Sequence, residues 1–309
     1  MYIGIDVGGM SIKAGVVNHE GKIIAKSAVP TPVNDNDAFL KAMLECVKKA
    51  VSEAGIKTED IESFGIGSPG IVNRNEGILI EANNIGYSDV PVREYLQKNF
   101  GDIPVLVEND ANCAALGEFY NSESSGDFVF ITLGTGVGGG IVINGKLFTG
   151  SNGAAGELGH IVTHADGIKC SCGRSGCWEA YASVTALIRE TQEHRSEIKG
   201  ISPDEKISGR TVFDLAKDGD ADAQRVRDAW IDEVAIGLVD IVNIFRPDEL
   251  VIGGAISKEG DVILKPICKY INENSYCAAR LPKQKVVASR IGGDAGIIGA
   301  ALLYKNKNA

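Results

Sequence analysis

Three cysteines stand close together at positions 170, 172 and 177, with histidines at 160 and 164 shortly before them. The spacing Cys-x-Cys-x4-Cys supplies three thiolates, and one nearby histidine, His160 or His164, supplies an imidazole. Together they make the closed tetrahedral donor set of a structural zinc site. Glycines at 173 and 176 permit the tight turning that bunches three sulfurs. Three unligated buried thiols is the competing reading. The other four cysteines, Cys46, Cys113, Cys268 and Cys277, are scattered and read as core or neutral positions rather than a disulfide framework.

A second chemistry resides in two glycine turns, Asp6-Val7-Gly8-Gly9-Met10-Ser11 and Leu133-Gly134-Thr135-Gly136. Residues 134–139 match the dinucleotide pattern G-x-G-x-x-G, but a strand and an Asn144-Gly145 hairpin turn follow instead of the required helix. Residues 140–146 nearly spell a P-loop, but Leu147 stands where its Ser/Thr belongs. What remains is strand–turn–strand, twice. Successive N–H groups in such turns form anion-binding nests, and a facing pair would hold the β- and γ-phosphates of ATP. Lys13 either adds charge there or is a solvated strand lysine. Ordinary tight hairpins are the alternative for the turns.

These groups need elements to position them. Short strands are expected at 2–7, 12–18 and 22–29, and an amphipathic helix at 37–54, ended by Gly55. A strand at 61–67 runs into the turn at 68–70. A helix after Pro91, a strand at 104–108 and a helix at 111–119 follow. After the polar segment 121–127, strands at 128–133 and 140–143 open a second half, with helices near 184–195 and 222–245, a strand at 249–252 and a closing helix at 294–304. Each half thus begins with strands around a glycine turn and then adds helices, a duplication of topology rather than of residues. The expected organisation is a small α/β domain at 1–120, on which the C-terminal helix at about 294–309 packs back, and a larger α/β domain at 121–293 carrying the cysteine loop.

The balance of 31 basic and 41 acidic residues, a net charge of -10, argues against nucleic acid as a partner. No segment reaches the roughly 18 apolar residues of a membrane span, and the N-terminus shows no basic leader. A cytoplasmic protein is expected.

The motifs, taken in order, resemble the ROK family (repressors, open reading frames and kinases), and within it the bacterial glucokinases. The resemblance runs from Ile3 to about Gly299. It is carried by Asp6-Val7-Gly8-Gly9, Gly65-Ile66-Gly67-Ser68-Pro69-Gly70, Glu108-Asn109-Asp110-Ala111-Asn112, residues 133–140, Gly156-Glu157-Leu158-Gly159-His160, residues 170–179 and Ile252-Gly253-Gly254-Ala255. It implies an α/β protein of the two-lobed actin/hexokinase-like (ribonuclease H-like) fold, with a nucleotide and sugar cleft between lobes. It implies a kinase using ATP and Mg2+ on a hexose, with glucose the first candidate. N-acetylhexosamine, fructose or β-glucoside kinases are alternatives.

By the same resemblance Asp6, Gly8 and Gly9 lie at the phosphate and magnesium side, Lys13 beside them. Thr135 and Gly136 cover the phosphates, and Gly253 and Gly254 back the adenosine. Gly70, Asn109, Asp110, Glu157, His160 and Glu179 bind sugar. Asp110, after a strand and at a helix start, is the candidate general base; capping of that helix by Asn109 or Asp110 is the plainer alternative. The family pattern selects His160 as the fourth zinc ligand with Cys170, Cys172 and Cys177. The metal would then orient His160 toward sugar without touching phosphate. Two departures stand out: Met10 where the family usually has Thr, and Tyr87 where glucokinases more often have Trp. The family also contains sugar-sensing repressors, which carry a helix-turn-helix ahead of the kinase-like body; a strand from residue 2 leaves no room for one. A silent sugar-binding protein is the third reading. Family members are often dimers or tetramers, so a homo-oligomer is expected.

Overall fold

The computed structural model describes residues 1–82, 85–202 and 204–308. In chain order the first part contains β1 (Tyr2–Val7), β2 (Ser11–Val17), β3 (Ile23–Pro30), α1 (Asn36–Ala54), β4 (Ser63–Ser68), β5 (Ile71–Asn73), β6 (Ile78–Ala82), β7 (Tyr87–Val90), α2 (Val92–Phe100), β8 (Val105–Asn109) and α3 (Asp110–Tyr120). Then come β9 (Phe128–Leu133), β10 (Val137–Ile143), β11 (Lys146–Leu147), α4 (Glu179–Ala182), α5 (Val184–Glu193), α6 (Thr211–Lys217), α7 (Ala221–Phe245), β12 (Glu249–Gly253), α8 (Asp261–Asn274), β13 (Val286–Ala288) and α9 (Ala295–Asn308).

Two compact units result. One comprises Met1–Gly126, Gly140–Gly156 and Arg290–Ala309; the other comprises Asp127–Gly139 and Glu157–Ser289. The first sheet has the order β3-β2-β1-β4-β8, and the second the order β11-β10-β9-β12-β13. Both follow one plan. The first three strands of each set stand in reverse order at one side, and two further strands extend the sheet at the other. The topological duplication expected from the sequence is therefore present. In the first sheet β1 pairs antiparallel with β2 and parallel with β4, which pairs parallel with β8. In the second, β12 lies parallel between β9 and β13.

Local sequence explains the elements that matter most. Asp35 caps α1, its carboxylate accepting from the Ala38 N–H at 2.9 Å, and Gly55 closes the helix in the left-handed conformation. Phe39, Met43, Val47 and Ala50 form its buried stripe. Helix α9 is buried on nearly every side and packs on β1, β4 and α3. Glycines in the strands let it lie close: a Cβ on Gly65 would stand 1.8 Å from the Ala300 carbonyl oxygen, and one on Gly4 1.9 Å from that of Ile297. Backbone, not a flexible side chain, would have to yield. Gly65→Ala is therefore expected to destabilise the protein by about 3 kcal/mol, the upper range for overpacking. Thermal denaturation checks this; a melting temperature within a degree of wild type would refute it.

Among the described residues no helix is long and apolar enough to cross a membrane.

Candidate functional site

In the first unit the parallel strands β1, β4 and β8 end side by side. Asp6 pairs with Gly67, and Gly67 with Glu108; one step on, Ser68 pairs with Asn109. Strand ends in α/β sheets open on ligand crevices, and here they carry Asp6, the turn 68–70 and Asn109-Asp110. The buried Cys113 thiol lies among them. Its pKa is pushed well up by burial first, and then by the negative charges of Glu108, Asp110 and Asp6. Asp6 and Asp110 thus act on one point, although 104 positions separate them in the chain.

The glycine turn after β1 is held from two sides. The Gly8 N–H donates to the Ser11 carbonyl at 3.0 Å, and the Thr31 hydroxyl donates to the Gly8 carbonyl at 2.6 Å. Lys13 lies directly opposite Asp6 in the β1–β2 pairing, and its ammonium donates to Asp6 Oδ2 at 3.2 Å. It is an ion-pair partner, not a solvated strand lysine. Burial raises the Asp6 carboxyl above its ordinary value and Lys13 pulls it back. Gly9 and Met10 are exposed, the latter at 91%. The Met10 side chain therefore offers no hydroxyl and no packing.

Asn109 caps α3, its side-chain oxygen accepting from the N–H groups of Ala111 at 2.9 Å and Asn112 at 3.3 Å. The capping alternative therefore applies to Asn109. Asp110 Oδ1 also accepts from the Ala111 N–H at 2.9 Å, while its residue stays partly exposed. The sequence reading missed what holds this pair. Glu108 is buried and takes both arms of the Arg74 guanidinium, Nε at 2.6 Å, as well as the Asn109 N–H at 2.8 Å and the Asn112 amide at 2.9 Å. The only sequence signal is a carboxylate at an inward strand position.

Tyr87, the second departure noted above, is also buried. Its hydroxyl hydrogen-bonds the Ser68 hydroxyl and donates to the Pro69 carbonyl at 3.0 Å, so it pins the turn that presents Gly70. Burial pushes its pKa up to about 12, and the Asp110 charge acts in the same direction. Tyr87→Phe removes a buried hydroxyl with two partners and is expected to cost about 1–2 kcal/mol. An unchanged denaturation midpoint would mean the bonds contribute nothing.

In the second unit the turn 134–136 follows β9, and Gly253 ends the parallel strand β12 with Gly254 backed against the Leu133 carbonyl. The Gly134 N–H donates to the Gly136 carbonyl at 2.9 Å. The next residue, Val137, already starts β10, three residues earlier than expected. Thr135 is exposed. Glu157 is exposed too, and its carbonyl accepts from the His160 N–H at 3.0 Å in the single turn Leu158–His160.

The cysteine loop gathers four donors. Those of His160, Cys170, Cys172 and Cys177 all lie within 4.8 Å of one another. Cys172 Sγ is 3.6 Å from Cys177 Sγ, and Cys170 Sγ is 3.6 Å from His160 Nδ1. A zinc tetrahedron with bonds of about 2.3 Å to sulfur and 2.0 Å to nitrogen has S···S edges of ~3.8 Å and S···N edges of ~3.5 Å. The donor set fits. His164 does not join it: its ring stacks on Tyr181 with centroids 4.0 Å apart, and its Nε2 lies 3.5 Å from Glu233.

Strand order and paired glycine turns at parallel strand ends define an α/β protein of the actin/hexokinase-like class. The chain belongs to the ROK family, whose pattern it matches over residues 2–307. It is 36% identical to a glucokinase of Halalkalibacterium halodurans, with 99% of this chain and 95% of that protein covered. It is 38% identical to a glucokinase of Streptomyces coelicolor, with 99% and 98% covered. The crystal structure of a ROK family glucokinase from Streptomyces griseus, in complex with glucose and AMPPNP, is 36% identical and superposes with a TM-score of 0.81 over 98% of both chains.

Proposed function

We propose that this chain transfers the γ-phosphoryl group of ATP to a hexose, with glucose as its first substrate. The observation that carries the reading is the convergence of Asp6, the pinned turn 68–70 and Asn109-Asp110 on the ends of three parallel strands.

Asp110 accepts the proton of the attacking hexose hydroxyl. The hydroxyl oxygen forms its bond to the γ-phosphorus as the bond to the bridging oxygen breaks, and ADP leaves with that electron pair. Gly70, Asn109, Glu157, His160 and Glu179 hold the sugar hydroxyls, and the Arg74–Glu108 pair keeps Asn109 and Asp110 in register. Backbone N–H groups around Gly8, Gly9, Thr135 and Gly136 hold the terminal phosphates, with Lys13 adding charge. Gly253 and Gly254 lie under the adenosine. Asp6 is suited to Mg2+, because a divalent cation offsets the burial that otherwise favours its protonated form; bound there with ATP, it supplies charge neutralisation at the phosphates. Structural zinc on His160 Nδ1, Cys170, Cys172 and Cys177 would fix the imidazole and leave Nε2 for sugar.

We read the small domain as 1–120 with the C-terminal helix on it, and the larger as 121–293. The protein acts in the cytoplasm as a homo-oligomer, a dimer or tetramer. An ADP-release assay across glucose, N-acetylglucosamine, fructose and a β-glucoside tests the function. Glucose should give the highest kcat/KM. A protein that binds hexose yet releases no ADP with any of them would be a sugar sensor instead.

A further inference from the structure

We propose that the Glu179 carboxylate couples hexose binding to nucleotide binding, by fastening the phosphate turn at one oxygen while it accepts a sugar hydroxyl. The inference rests on the function proposed above and adds a link between its two substrates.

Glu179 opens α4, two residues past Cys177. Its Oε2 accepts from the Val137 N–H at 3.0 Å, the first amide beyond the turn 134–136. Its Oε1 lies 3.7 Å from Cys170 Sγ, at the edge of the zinc set. Gly136 makes room for this contact: a Cβ there would stand 2.2 Å from Oε2. The same short stretch fastens the turn twice more. The Val184 N–H donates to the Gly134 carbonyl at 2.9 Å, and the Thr185 hydroxyl to the Thr135 carbonyl at 2.7 Å.

Of these three fastenings only Glu179 supplies a charged acceptor, with a second oxygen beyond the one that holds Val137. An ionised carboxylate offers about four lone-pair sites, and Val137 takes one. A hexose hydroxyl donating to the same group restricts its rotation and so stiffens the Val137 contact and the turn. A nucleotide that orders the turn pre-orients the carboxylate for sugar. Such coupling is reciprocal and of equal size in both directions.

Isothermal titration of the whole protein with D-glucose and with the non-hydrolysable analogue AMPPNP, each with and without the other, measures it. Wild type should show each ligand tightening the other by about 5-fold or more. Gly136→Ala keeps Glu179 itself unchanged but displaces its carboxylate from Val137. The expected result is a coupling factor near one, and weaker glucose binding even without nucleotide, which a purely phosphate-side role for Gly136 would not produce. Thr185→Val loosens the turn from its other side and should weaken AMPPNP while glucose alone binds as in wild type. If the alanine variant does not fold, Glu179→Gln serves: with its oxygen on Val137 it turns an amino donor instead of a second acceptor oxygen toward the sugar, so coupling should fall. Wild type binding both ligands with no mutual effect, or Gly136→Ala keeping full coupling, overturns the inference alone. Wild type binding no glucose overturns it together with the hexokinase reading.

Discussion

Asp110→Asn is expected to lower kcat by roughly 100-fold or more while the protein folds and melts as wild type does. The two halves of that expectation come from different atoms. Asp110 Oδ1 accepts from the Ala111 N–H, and an asparagine oxygen can do the same at the same place. The helix start is in any case capped by Asn109, so α3 does not depend on the charge. What asparagine cannot do is take a proton. An amide is not a base near neutral pH, so the hexose hydroxyl would have to lose its proton to water in the transition state. The hexose KM should move far less than kcat, since one oxygen acceptor remains. Steady-state kinetics with saturating ATP and glucose, beside a thermal melt, decides it. Turnover near the wild-type rate in a well-folded variant would remove Asp110 from the chemistry.

Removing the metal is expected to have the second largest effect. Metal analysis of protein purified without chelator should find one zinc per chain, and Cys177→Ala should abolish it. Around the donors the loop has no named helix or strand between His160 and Glu179, and is held by bridges between Val162 and Cys177 and between Lys169 and Ser175, turn hydrogen bonds and the contacts of His164. Structural zinc in small sites contributes on the order of 10 kcal/mol to folding of the segment that binds it. Part of that would be lost here, so the variant should melt at least several degrees lower. The sugar KM should rise together with the loss of stability, about 10-fold or more, the scale on which losing the group that orients a ligating side chain lowers activity. A zinc-free protein with unchanged melting temperature and glucose KM would show that the four donors serve neither end.

The parts that could be read from the chain are those whose partners lie nearby in it. The opening meander, α1 with its Gly55 end, the glycine turns and the three cysteines all declare themselves within about ten residues. The small sheet β5-β6-β7 did not, because its strands are three to five residues long and carry no clean alternation. Helix α8 was hidden by Pro266, which lacks an amide hydrogen and argues against a helix interior. At the candidate site, the identities came from motifs but the supports did not. Tyr87 reaches back to Ser68 across 19 positions, Arg74 forward to Glu108 across 34, and Glu179 back to Val137 across 42. Each is a polar group satisfied by tertiary contact, and nothing in its own neighbourhood specifies the partner.

The placement of α9 has a consequence for biosynthesis. Ile297, Ala300 and Ala301 cover the glycine-lined face of β1 and β4, yet they leave the ribosome long after those strands. Until the segment from Arg290 onward has emerged, that sheet has an uncovered hydrophobic side, whereas the unit ending at Ser289 has all its own parts. The nascent chain would therefore complete its later unit before its first, the reverse of the usual vectorial order. A stop before residue 290 would leave that sheet uncovered and the remnant aggregation-prone.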